Sequence, residues 1–246
     1  MTRAWIALAA GVLAVAPAAA QNKPEDVVTK AVAAHGGADT LKKYPAGTSK
    51  IGGKVTLDGN EFPFTGTLAF AVPGKVRMEM AVDALGQKST LVQVVNGDKV
   101  RQTENGTASK LDAATQAELR ESAVIQEMSM LVPLLDPARY TLTADKDAPL
   151  DGKDAAVVVV TGKGVKETRL YFDKKTGLLA GLRRKGLSPF QKAVDEVTTL
   201  SDYKTVEGMV VPMKSKVTHD GKAFLELVVT EYKPLAKADE KLFAAE

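Results

Sequence analysis

Cysteine is missing altogether, histidine occurs only twice and tryptophan once in 246 residues. Without cysteine there is no disulfide, no thiol nucleophile, no thiolate metal site and no cysteine to accept a lipid anchor. The one tryptophan, Trp5, falls in the first turn or so of an amino-terminal apolar run. Neither sign of charge dominates: 33 Lys and Arg stand against 30 Asp and Glu, a net charge of +3, which is no footprint for nucleic acid. That first run is too short for a spanning helix, and no later stretch approaches a membrane span. There is no HExxH, no glycine-rich phosphate loop and no G-x-S-x-G elbow. "GKGVKET" resembles the end of a phosphate loop, but Val165 follows its second glycine and the pattern continues as strand. Asp145, Asp147, Asp151 and Asp154 cluster without the glycine and glutamate that a calcium loop needs, and read as a solvated loop. Nothing here points to an enzyme, a metal or a cofactor.

What is present begins with Met-Thr-Arg, an apolar run from Ala4 to Ala16, and Ala18-x-Ala20 before Gln21. A basic start, a short apolar core and small residues at a cleavage site predict a signal peptide over 1–20, leaving a single soluble, exported domain over 21–246. "KPEDVVTKAVAAHGGADTLKKY" predicts a helix over Pro24 to His35, with acids at its positive end, then a Gly36-Gly37 stop and a short helix near Ala38 to Lys43. His35 is placed to cap that helix end, and His219 belongs to strand territory before a turn. From Lys50 the pattern alternates, punctuated by Asp58-Gly59, Asn96-Gly97, Asn105-Gly106 and Asp220-Gly221, which predicts an antiparallel meander of about eleven strands. One segment interrupts it. Asp112 caps a run of helix formers that Pro133 and Pro137 break.

The strands carry apolar stripes. Met209, Val211, Met213 and Val217 share one face, as do Met78 and Met80, Leu68 and Phe70, and Leu170 and Phe172. Core is the simpler account of any one of them. A strongly curved sheet of many strands, however, has a concave face that few helices can cover, and methionine suits a surface that adapts to its contents. Pro212 has no N–H, so its strand must lie at an edge, a bulge or a start, which suggests a barrel that fails to close there.

The export segment, "AVAAHGGADTLKKY", "GKVTLDGNEFPFTGTLAFAVPGKVRMEM", "VVNGDKVRQTENG", the helix ending "MSMLVPLLD", "RLYFDKKTGLLAGLRR", "DYKTVEGMVVPMKSKV" and the tail "EYKPLAKADEKLF" together resemble the LolA-like family of periplasmic lipoprotein carriers. The resemblance implies a mainly β fold, an open antiparallel barrel covered by an amino-terminal helix and a mid-chain lid. It also implies a soluble periplasmic monomer that holds acyl chains of a lipid or lipoprotein for transfer toward the outer membrane. Membrane-bound donor and acceptor proteins would be its partners. The cavity would be lined by Leu68, Phe70, Met78, Met80, Leu170, Phe172, Met209, Val211, Met213 and Val217, with Met128, Leu131, Leu134 and Leu135 on the lid. Where such carriers have an arginine before a strand proline, this chain has Val72 before Pro73, and its apolar stripes are aliphatic rather than aromatic. The same fold could instead serve as a lipid-sensing or protein-interaction module without transport.

Overall fold

A computed structural model describes residues 23–84 and 86–244; the expected export segment lies outside them. Helix α1 (Pro24–Ala34) starts with proline and two acids and buries Val28, Ala31 and Val32. His35 follows as expected, its Nδ1 donating to the Ala31 carbonyl at 2.9 Å. After α2 (Ala38–Lys43) come β1 (Ala46–Leu57), β2 (Asn60–Ala71), β3 (Lys75–Ala84), β4 (Gln87–Asn96), β5 (Lys99–Glu104) and the two-residue β6 (Thr107–Ala108). Asp112 caps α3 (Ala113–Met128), its Oδ1 accepting from the Thr115 N–H at 2.8 Å. A 3-10 turn over Val132–Leu135 leads to β7 (Tyr140–Asp145). The chain continues through β8 (Ala155–Gly162), β9 (Val165–Asp173), β10 (Leu179–Leu187), β11 (Ala193–Val206), β12 (Met209–His219) and β13 (Lys222–Leu235).

All thirteen strands form one antiparallel sheet in the order β6-β5-β4-β3-β2-β1-β13-β12-β11-β10-β9-β8-β7. It curves without closing, so its free edges are β6 and β7, and α3 connects those two edges in sequence. The sheet has two strands more than the pattern predicts. β6 is too short to show any periodicity, and β7 follows directly on the Pro133–Pro137 break. Asp58-Gly59, Asn105-Gly106 and Asp220-Gly221 each hold both residues at positive φ, the hairpin geometry that matches strand twist.

Two apolar clusters occupy the concave face. Val28, Leu41, Met128, Leu131, Leu134, Val158, Leu170, Phe172 and Leu182 pack α1, α2, the end of α3 and the 3-10 turn onto the β7–β10 arm. Ile51, Phe64 and Met80 anchor the other arm, where Leu68, Met78, Leu225, Leu227 and Val229 stay half-buried. No helix among the described residues is long and apolar enough to cross a membrane.

Candidate functional site

Strand β12 is paired along its length with β11 but only half of it pairs with β13. The β12–β13 ladder runs from His219↔Lys222 to Lys214↔Val228 and then stops. Beyond it, β13 continues on β1 alone, with a register shift at Lys50/Ile51, while Met209–Pro212 keep only β11. Pro212 falls in this unpartnered half, where a missing N–H costs no ladder bond. The proline therefore marks a split in the middle of the sheet. It does not mark where the barrel stays open, since that opening lies between β6 and β7. Into the split fits the end of α1: the Val210 N–H donates to the His35 carbonyl at 3.0 Å. Gly36, at φ +112°, lies so close that any Cβ would collide with the Gly208 carbonyl.

The split opens into a pocket of about 280 Å³ between the two apolar clusters. Leu68, Phe70, Leu227 and Val229 form one wall, Leu41, Leu179, Leu200, Met209 and Val211 the other, and Gln126, Ser129, Met130 and Leu131 the roof. A few polar groups interrupt this apolar surface. Ser49 and Tyr232 face one another across the β1–β13 ladder, and neither side chain makes a hydrogen bond among the described residues. His35 and Tyr203 meet edge to face, with ring centroids 5.9 Å apart.

Burial sets the protonation of these groups. It lowers the His35 pKa below its ordinary 6.5 despite the bond to Ala31, and it pushes Tyr232 up to about 12. Because the folded His35 resists a proton that the unfolded chain accepts, its contribution to stability is whole above about pH 6.5 and is lost as pH falls below that value. Tyr232 has the opposite sign: its contribution is whole below about pH 10 and is lost as pH rises through the folded value. Urea titrations at pH 8 and pH 5.5 should therefore show a drop in midpoint that is smaller in His35→Gln than in the unaltered protein. An equal drop in both would mean His35 does not titrate on unfolding.

The roof is held by charge at two points. Arg184 on β10, with its side chain 4% exposed, lies 2.5 Å from Glu118 and 3.8 Å from Glu121 of α3, and 2.8 Å from Glu196 of β11. Lys166 adds contacts to Glu121 at 3.1 Å and Glu118 at 3.6 Å, and His219 lies 3.3 Å from Glu196. Burial by itself would lower the Arg184 pKa, but the Glu196 and Glu118 carboxylates outweigh it and hold the guanidinium charged. At the other end of α3, buried Glu127 accepts from the Tyr140 hydroxyl at 2.7 Å and pairs with Arg139. Between roof and 3-10 turn, Leu131 sits at φ +64° and ψ −48° while the Val132 N–H reaches the Met130 carbonyl at 2.7 Å. That is the rarer, strained form of γ-turn, held by a leucine that is 1% exposed and lines the pocket.

Of the residues the sequence assigns to a cavity, Leu68, Phe70, Met209 and Val211 line this pocket. Leu170 and Phe172 lie outside its wall, buried in the core cluster that includes residues of α1 and the 3-10 turn. Met78 and Met80 pack around Phe64 further along the β2–β3 arm, Val217 lies where β12 and β13 are still paired, and Met213 is buried outside the wall. On the lid, Leu131 reaches the pocket, Met128 and Leu134 join the core, and Leu135 is 38% exposed. Sequence reasoning missed Tyr203, Tyr232 and Gln126, and the Arg184 cluster as a whole.

No protein-family model matches the chain, and no curated protein is similar to it. Solved structures do share its architecture. A DUF1329 family protein from Desulfovibrio piger superposes with a TM-score of 0.58 at 11% identity, over 90% of this chain and 97% of the other. A LolA superfamily protein from Nitrosomonas europaea gives 0.57 at 10% identity, over 90% and 97%. A putative outer membrane lipoprotein-sorting protein domain from Vibrio parahaemolyticus gives 0.56 at 10% identity, over 89% and 94%. The chain thus shares its fold with these three proteins.

Proposed function

We propose that the protein is a periplasmic carrier that holds an acyl chain of a lipid or lipoprotein in the pocket beneath α3 and releases it toward the outer membrane. The observation that supports this most is the pocket itself. It has an apolar wall on both arms of the sheet, it is roofed by a separate helix, and it opens where the sheet is split. Each methylene moved from water into such a wall is worth about 0.8 kcal/mol, so a chain of ordinary length is held firmly. The role needs binding and release and no bond-making chemistry. Membrane-bound donor and acceptor proteins would load and empty it.

A blocking substitution tests the reading. Val229 is half-buried and lines the pocket, so the indole of Val229→Trp would occupy the space while a strand tolerates the residue. Thermal unfolding should shift little, and uptake of a fluorescent fatty acyl probe should fall at least about tenfold. Binding that survives unchanged in a folded Val229→Trp variant would remove the pocket from consideration.

A further inference from the structure

The pocket's opening carries one charge. Of all the residues that line it, Lys214 alone is exposed, which puts it at the mouth. Some lysines on the sheet stand across from acids and bond them, as Lys50 does with Glu231 at 2.6 Å and Lys185 with Asp195 at 2.8 Å, whereas Lys99, Lys204, Lys222 and Lys233 face no acid but lie away from the pocket. Lys216, two residues along the same strand, is opposite Glu226. Lys214 instead faces Ser201 on β11 and Val228 on β13, and makes no ion pair among the described residues. Its position is also the last rung of the β12–β13 ladder, where the split begins. An unpaired cation thus stands at the entrance of an apolar chamber of about 280 Å³, close to the lower end of the roughly 300–1,000 Å³ usual for ligand pockets. That volume suits one hydrocarbon chain and not several side by side.

We infer that the ligand is a single-chain amphiphile with an anionic head, its tail between the two arms of the sheet and its head group at the Lys214 ammonium. This rests on the acyl-binding reading and narrows it to one chain and one sign of charge. The head could be the carboxylate of a free fatty acid or the phosphate of a lysophospholipid, since both offer an anionic oxygen that a lysine can meet as a point charge.

Calorimetric titration of the purified protein with dodecanoate, dodecan-1-ol, a lysophosphatidic acid and a diacyl phosphatidic acid tests this. Dodecanoate or the lysophosphatidic acid should bind more tightly than dodecanol, and whichever is tighter identifies the source of the anion. Lys214→Gln should weaken the anionic ligand about three- to fivefold, Lys214→Glu by about tenfold, and neither should change dodecanol binding. The difference between acid and alcohol should shrink as salt rises. Equal binding of acid and alcohol, or indifference of the acid to both Lys214 variants, overturns the anionic head and leaves the pocket reading standing. A diacyl ligand that binds more tightly than any single chain overturns the one-chain limit. Binding of none of the four overturns the acyl reading and this inference with it.

Discussion

Arg184→Met is expected to destabilise the protein by about 3–5 kcal/mol and to free α3 from the sheet. The guanidinium holds together Glu118 and Glu121 of α3 and Glu196 of β11. Removing it leaves three largely buried carboxylates facing Lys166, whose side chain is 57% exposed, and His219. The uncompensated buried charge is the expensive part, more than the lost contacts themselves. Guanidinium denaturation should show a lower midpoint, and native-state hydrogen exchange should show amides of α3 opening before those of β8. Because the damage comes from charge left unpaired, Glu118→Gln added to Arg184→Met should restore part of the loss, a coupling that single variants cannot mimic. An Arg184→Met protein whose α3 exchanges as slowly as before would show that the cluster does not hold the lid.

Gly36→Ala should be nearly as severe, and its neighbour supplies the control. Gly36 and Gly37 both have positive φ, +112° and +87°, so alanine is strained at either. Only Gly36 presses on another chain segment, where a Cβ would collide with the Gly208 carbonyl; at Gly37 a Cβ meets nothing within 4 Å. Gly37→Ala should therefore cost about 1 kcal/mol from backbone preference alone. Gly36→Ala should cost about 2–3 kcal/mol, because the segment must also move off β12 and break the bond from Val210 to His35. That movement disturbs the pocket wall at His35 and Met209, so acyl-probe uptake should fall in Gly36→Ala and hold in Gly37→Ala. Equal losses at the two positions would dismiss the close approach as a cause.

Much of the fold could be read because local signals agreed with the final architecture. Pro24 and the two glycines bound α1, Asp112 begins α3, and paired turn residues mark the hairpins. The site was less legible, for two reasons. Strand alternation shows which residues share a face but not which part of a curved face a helix covers, so Leu170 and Phe172 were indistinguishable from Leu68 and Phe70. Charges on an amphipathic helix also look solvated until the partner strand is known, which hid Glu118, Glu121 and Glu127. A signal for the cluster did exist: Arg184 shares the face of Leu182 in a strand whose other face carries Arg183 and Lys185, and is thus an arginine pointing inward. Pro212 was a sound clue read at the wrong scale, since it reports a local loss of pairing inside the sheet.

The middle of the sheet is made by β1 and β13, which pair from Ala46↔Leu235 to Val55↔Leu225, whereas every other neighbouring pair of strands is consecutive in the chain. Eleven hairpin contacts can form within short stretches, and one contact must bridge about 180 positions. Each arm can therefore nucleate on local contacts, and docking of β13 on β1 is expected to be the slowest of the strand pairings. Until β13 is made and delivered, β1 presents a bare edge of unpaired N–H and C=O groups, open to pairing with another molecule. Refolding yield should thus depend on protein concentration through this one seam.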